Sequence, residues 1–72
     1  MADLNWIPVA SSNLSFVAYD EPNQSLYIEF RSGRRYVYVN VPEIEFENLL
    51  NAPSQGIYFN SHIKNFYPGS PI

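Results

Sequence analysis

The 72-residue chain reads as an α+β domain: a three-stranded antiparallel sheet followed by two short helices on one of its faces (β-β-β-α-α). Three observations predict this. Apolar Leu26, Ile28 and Phe30 alternate with Tyr27, Glu29 and Arg31, the period-two pattern of a half-buried strand. Turn-forming clusters, Asp20-Glu21-Pro22-Asn23 and Ser32-Gly33, separate that segment from extended neighbours on both sides. Beyond Pro42 the period becomes helical, with Phe46, Leu49 and Leu50 at i, i+3 and i+4.

Taken in order, residues 1–7 form a lead-in whose Trp6 and Ile7 can dock onto the core, and Ser11-Ser12-Asn13 is a polar turn. The first strand runs from Leu14 to Tyr19, the second from Leu26 to Arg31, and the third from Tyr36 to Val41, where Pro42 cannot continue a ladder. A two-residue turn at Ser32-Gly33 sets Arg31 opposite Arg34, Ile28 opposite Val37 and Leu26 opposite Val39, making one apolar face. The reverse face then pairs Tyr27 with Tyr38 and Glu29 with Tyr36, and a slip of one residue would exchange the faces. Pro42 opens the first helix, whose Glu43, Glu45 and Glu47 suit the positive end of its dipole. Ala52-Pro53 ends it, and Ser54 caps a second helix in which Phe59, Ile63 and Phe66 recur at helical spacing. Pro68 and Gly69 stop that helix and leave residues 69–72 as a tail.

A chain this short buries only about 60% of its unfolded surface, so its five Phe, six Tyr and one Trp must supply much of the core. There is no cysteine, hence neither a disulfide nor a thiolate metal ligand. No apolar run approaches the length of a membrane span and no signal-type segment follows Met1, which gives the expectation of a soluble cytoplasmic protein without a membrane partner. The net charge of −3 argues against indiscriminate binding to duplexes. Yet three of the four cations, Arg31, Arg34 and Arg35, fall within five residues, and Lys64 is the fourth.

Catalysis is not expected. His62 is the only histidine, the serines lack a nucleophile elbow, and helix-start electrostatics accounts for the three glutamates. Scattered acids and one histidine give no metal-ligand spacing, and three glycines make no phosphate loop, so no cofactor is expected. The binding candidates are aromatic. Tyr36 and Tyr38 share one strand face, and with Tyr27, Arg31 and Arg34 they would form a surface on which bases stack while guanidinium groups meet phosphates. The alternative is that Tyr36 or Tyr38 completes a small core beneath Trp6 or the C-terminal segment. Asn60, just after Gly56, offers an amide to a base edge or to backbone.

The ordered set Ser11-Ser12-Asn13, Tyr19-Asp20, Leu26-x-Ile28-x-Phe30, Gly33, Tyr36-x-Tyr38, Val41-Pro42, Leu49-Leu50, Ser54-x-Gly56, Tyr58-Phe59-Asn60, Ile63 and Tyr67 resembles the KTSC domain. That family is named for its place at the C-terminus of some lysyl-tRNA synthetases, and it also occurs as small free-standing bacterial and phage proteins. The resemblance runs from about residue 8 to about residue 68 and implies an RNA-binding role by association with a synthetase. The resulting expectation is a non-enzymatic module for a nucleotide-type ligand, single-stranded RNA or a free or cyclic nucleotide, bound by Tyr27, Arg31, Arg34, Tyr36, Tyr38 and Asn60. The competing expectation is a protein-interaction or self-assembling module, since open sheet edges invite pairing with another chain and formation of a homo-oligomer.

Overall fold

The structure is a computed structural model describing residues 4–72; the first part of the lead-in lies outside the described residues. The strands are β1 (Ile7–Pro8), β2 (Leu14–Asp20), β3 (Ser25–Phe30), β4 (Arg35–Tyr38) and β5 (Gly69–Pro71). Helices α1 (Glu43–Asn51) and α2 (Gln55–His62) lie between β4 and β5. All five strands form one antiparallel sheet in chain order, β1-β2-β3-β4-β5. The α+β class with two helices stands, but the sheet has five strands rather than three. The two extra strands come from segments expected to be a lead-in and a tail, and both are very short. Neither carries an alternating pattern, because each pairs along one edge only and the backbone ladder alone defines it. Ile7 pairs with Val17, while Gly69, Ser70 and Pro71 pair with Tyr38, Val37 and Tyr36.

The expected register also needs correction, with consequences for every side chain on β4. Leu26 pairs with Tyr38, Tyr27 with Val37, Ile28 with Tyr36 and Glu29 with Arg35. The cause is the turn. Phe30 donates its N–H to the Arg34 carbonyl at 2.8 Å and accepts from the Gly33 N–H at 2.9 Å, so the loop holds three residues, Arg31-Ser32-Gly33. Gly33 sits at φ +92, the left-handed residue of a three-residue hairpin loop with a bulge. One added residue shifts the pairing by one and turns β4 over. Tyr36 and Tyr38 therefore join Leu26, Ile28 and Phe30 on the inner face, under the helices. Tyr27, Glu29, Arg35 and Val37 take the outer face. β4 also ends earlier than expected, since Asn40 adopts φ +61 and breaks the extended run; Val41 beyond it returns to the core.

The inner face and the helices enclose Leu14, Val17, Leu26, Ile28, Tyr38, Val41, Leu49, Phe59 and Ile63. Each fully buried aliphatic or Phe side chain stabilises by about 1.5–3 kcal/mol relative to exposure. Phe59 makes edge-on contacts with both Phe30 and Tyr38, with ring centroids 5.6 and 5.3 Å apart. Phe66, expected on the buried stripe of α2, is instead exposed, because the helix ends at His62 and the chain turns before reaching it.

The helices are held by polar contacts as well. Ser54 caps α2 as expected, its hydroxyl accepting from the Ile57 N–H at 3.3 Å. Pro42 stands at the N-cap of α1 rather than inside its first turn. Glu45 on α1 accepts hydrogen bonds from the hydroxyls of Tyr58 on α2 and Tyr67 in the following turn. Tyr19 stacks on Phe46 and donates to the Val41 carbonyl, tying β2 to the start of α1.

Candidate ligand-binding cleft

The register correction divides the expected site. Tyr27 lies on the outer face, where its ring meets Trp6 edge-on at 6.3 Å. Arg35 lies there too, with its guanidinium 4.8 Å from the Trp6 ring centroid and its Nε 2.7 Å from Glu29. A shallow outer hollow of about 230 Å³ is lined by Trp6, Phe16, Glu29 and Arg35. The cation that lines this hollow is thus already paired with a carboxylate.

Tyr36, Tyr38 and Asn60 come together on the inner side. They line a cleft of about 290 Å³ with Asn13, Phe30, Phe59 and Lys64, between the hairpin end of the sheet and α2. The Tyr36 and Tyr38 rings are stacked at 6.3 Å and 22°, and Phe30 meets Tyr36 edge-on at 5.7 Å. Tyr38 is 6% exposed and belongs to the core, whereas Tyr36 is half-buried and keeps ring surface open. Burial, reinforced by the neighbouring Tyr36, raises the Tyr38 phenol above its ordinary value of 10.0, so it stays protonated at neutral pH. Floor and walls are therefore aromatic, while the rim carries two amides and an ammonium.

Helical spacing explains the α2 side. Gly56 and Asn60 lie one above the other on one side of α2, and Lys64 follows in the turn beyond its end. At Gly56 an added Cβ would sit 2.9 Å from the Ser11 hydroxyl, so the Ser11–Asn13 turn packs directly on the helix. Ser11 organises that turn, accepting from the N–H groups of Asn13 at 3.1 Å and Leu14 at 3.2 Å. Asn13 and Asn60 thereby line the same groove, and among the described residues neither side-chain amide has a hydrogen-bond partner.

A second hollow of about 290 Å³ adjoins the first, lined by Ala10, Ser11, Ser12, Asn13, Pro53, Ser54, Gly56, Ile57 and Asn60. Asn13 and Asn60 border both. Arg31 lies beside this end, its Nε donating to the Ser11 carbonyl at 2.6 Å and its backbone N–H to the Asn13 carbonyl at 2.9 Å. Strand alternation from Tyr36 puts Arg34 on the inner side, opposite Phe30. Lys64 lines the inner groove and Arg31 is tied to its Ser11 wall, and among the described residues no acid lines it. Of the six expected site residues, Tyr36, Tyr38 and Asn60 line the groove, Arg31 touches its Ser11 wall, Arg34 shares the inner face by strand alternation, and Tyr27 lies on the opposite face.

Asn13, Phe30, Phe59 and Lys64 were not expected at the site. Asn13 reads equally well as a turn residue, and Phe30 and Phe59 as core. The four-residue spacing of Gly56, Asn60 and Lys64 was the available signal. His62, the one histidine, stacks on Tyr58 with centroids 4.4 Å apart, away from this groove. No group of three metal-ligating side chains occurs among the described residues, nor does any helix there have the length and apolarity to cross a membrane.

Comparison with known proteins agrees with this architecture. Residues 10–67 match the family model of the KTSC domain. A lysine–tRNA ligase of Nostoc punctiforme is 49% identical over 47 residues, which is 65% of this chain but 8% of that protein. A protein of Tsukamurella paurometabola is 39% identical over 57 residues, covering 79% of this chain and 85% of its own length. The crystal structure of a KTSC domain protein from Yersinia pestis superposes with a TM-score of 0.93 at 34% identity, covering 97% of this chain and 99% of the other. The chain spans about a tenth of the ligases it matches and nearly all of the free-standing relatives, and it belongs to the KTSC domain family.

Proposed function

We propose that this protein is a non-catalytic recognition module for a nucleotide-type ligand, bound in the inner cleft rather than on the open face of the sheet. The planar ring lies against Tyr36, the amides of Asn13 and Asn60 meet its polar edge, and Arg31, Arg34 or Lys64 meets a phosphate. One observation carries this reading: an aromatic cleft is rimmed by two amides and a lysine, with no hydrogen-bond partner for either amide and no acid in the lining among the described residues. Ligand pockets typically combine such apolar walls with a few convergent polar groups. The size of the cleft suits one ring at a time, which favours a single nucleotide, free or within a strand, over a duplex. Similarity to a segment of lysine–tRNA ligases supports an RNA-related ligand.

Calorimetric titration with nucleoside monophosphates and short single-stranded RNAs tests the proposal. Tyr36→Ala is expected to weaken binding by about 1–3 kcal/mol, the worth of one stacked base. Asn60→Ala should weaken it less, and Tyr27→Ala not at all. Undetectable binding by the wild type, or equal binding by every variant, refutes it.

The competing reading is self-assembly. Ile57 and Phe66 are 68% and 69% exposed, and the outer edge of β5 is unpaired among the described residues. Light scattering separates the two: a stable dimer that loses affinity for itself in Ile57→Asp favours assembly.

A further inference from the structure

Resting on the reading above, we infer that the serine-lined hollow beside the inner cleft holds the sugar of the same nucleotide, and that Ser12 makes the site selective for ribose. The two hollows have similar volume and share Asn13 and Asn60, so a ligand whose ring fills the first can extend directly into the second at that boundary. A nucleotide has that shape: the sugar follows the base directly. The second hollow also has the right chemistry. Its lining is hydroxyl and amide with a small apolar floor, and carries neither an acid nor a base. Such a surface suits a neutral, hydroxyl-rich group and would leave an uncompensated phosphate unpaired.

The hydroxyls are not equivalent. Ser11 is engaged by two backbone N–H groups and Ser54 by the Ile57 N–H. The Ser12 side chain is exposed and has no hydrogen-bond partner among the described residues, which leaves it free to meet a ribose hydroxyl. Beyond the sugar the next group of a nucleotide is its phosphate. The Arg31 guanidinium, anchored on the carbonyl of Ser11, which lines the sugar hollow, stands beside it at 2.6 Å from that oxygen. Aromatic, hydroxyl and cationic groups, one kind for each part of a nucleotide, thus meet in this one groove.

Paired titrations of ribonucleoside and 2′-deoxyribonucleoside 5′-monophosphates test this, using wild type, Ser12→Ala and Tyr36→Ala. The ribose form should bind about tenfold more tightly to the wild type, as one ordinary hydrogen bond gives. In Ser12→Ala that ratio should fall to about two or less. Equal affinity for both sugars, with binding still sensitive to Tyr36→Ala, overturns the sugar assignment and leaves base recognition standing. A ratio unchanged in Ser12→Ala overturns it too, because the hydroxyl is then read elsewhere. No binding of either sugar form removes both proposals.

Discussion

Gly69 holds the aromatic cleft in place by lacking a side chain, and Gly69→Ala should damage both fold and site. A Cβ at that position would stand 2.3 Å from Cε2 and 2.7 Å from Cδ2 of Tyr38. Ordinary carbon contacts lie at about 3.5–4.0 Å, so the ring or β5 must retreat by more than about 1 Å. The ring has little room, being packed on Phe59 at 5.3 Å and Tyr36 at 6.3 Å and only 6% exposed. Lifting β5 instead breaks its ladder with β4. Overpacking of this kind costs about 1–3 kcal/mol. In a domain of this size each kcal/mol lowers Tm by about 4–8 °C. Calorimetry should therefore show a loss of at least about 4 °C, with a changed near-UV tyrosine signal and weaker nucleotide binding. Gly33→Ala is the control. Nothing lies within 4 Å of a Cβ there, so its cost of about 1–2 kcal/mol comes only from the φ of +92, and the tyrosine signal should persist. A Gly69→Ala protein that melts with the wild type and binds as well would refute the reasoning.

Three further predictions concern charge. A hydrogen bond with Glu21, available only when one carboxyl is protonated, raises Glu43 above its ordinary 4.5, and repulsion by Glu21 and Glu47 acts the same way. The folded state thus holds this proton more tightly, and the stability it contributes below pH 4.5 is lost as pH rises through the raised value. Glu43→Gln should therefore be more stable than wild type at pH 7, an advantage that closes near pH 4; no difference at pH 7 would contradict this. Burial raises the phenols of Tyr19, Tyr38, Tyr58 and Tyr67 above 10.0. Stability should hold up to pH 10 and fall above it, tracked by phenolate absorbance together with circular dichroism; unfolding that begins well below pH 10 would not fit. Removing the acceptor shared by Tyr58 and Tyr67 in Glu45→Ala should cost about 1–2 kcal/mol in urea denaturation, discounted from the full value for charged hydrogen bonds because the pair is partly exposed. An unchanged midpoint would show that water replaces Glu45 fully.

Much of the fold was legible because its signals are local. The alternation of β3, the Phe46-Leu49-Leu50 stripe and the Ser54 cap each depend on a few adjacent residues. β1 and β5 were not legible, since Ile7-Pro8 and Gly69-Ser70-Pro71 have no pattern that the ladder with β2 or β4 would not supply. The register failed on one residue. Ser32-Gly33 suits a two-residue turn, but Gly33 takes the left-handed place in a three-residue loop, and the parity of β4 follows from that choice. The same slip decides the site. It moves Tyr36 and Tyr38 from an open platform to the wall of a cleft and leaves Tyr27 behind. Asn60 was legible as an amide beside a glycine, but Asn13 joins it in the groove because Gly56 lets the Ser11 turn settle on α2.

The most direct test is a heteronuclear NMR titration with ribonucleoside 5′-monophosphates, following the side-chain amide signals of Asn13 and Asn60 and the indole N–H of Trp6. Recognition in the inner cleft predicts saturable shifts of both amides while the indole on the opposite face stays still. Movement of the Trp6 signal with the two amides unchanged would place the ligand on the outer sheet and contradict the account.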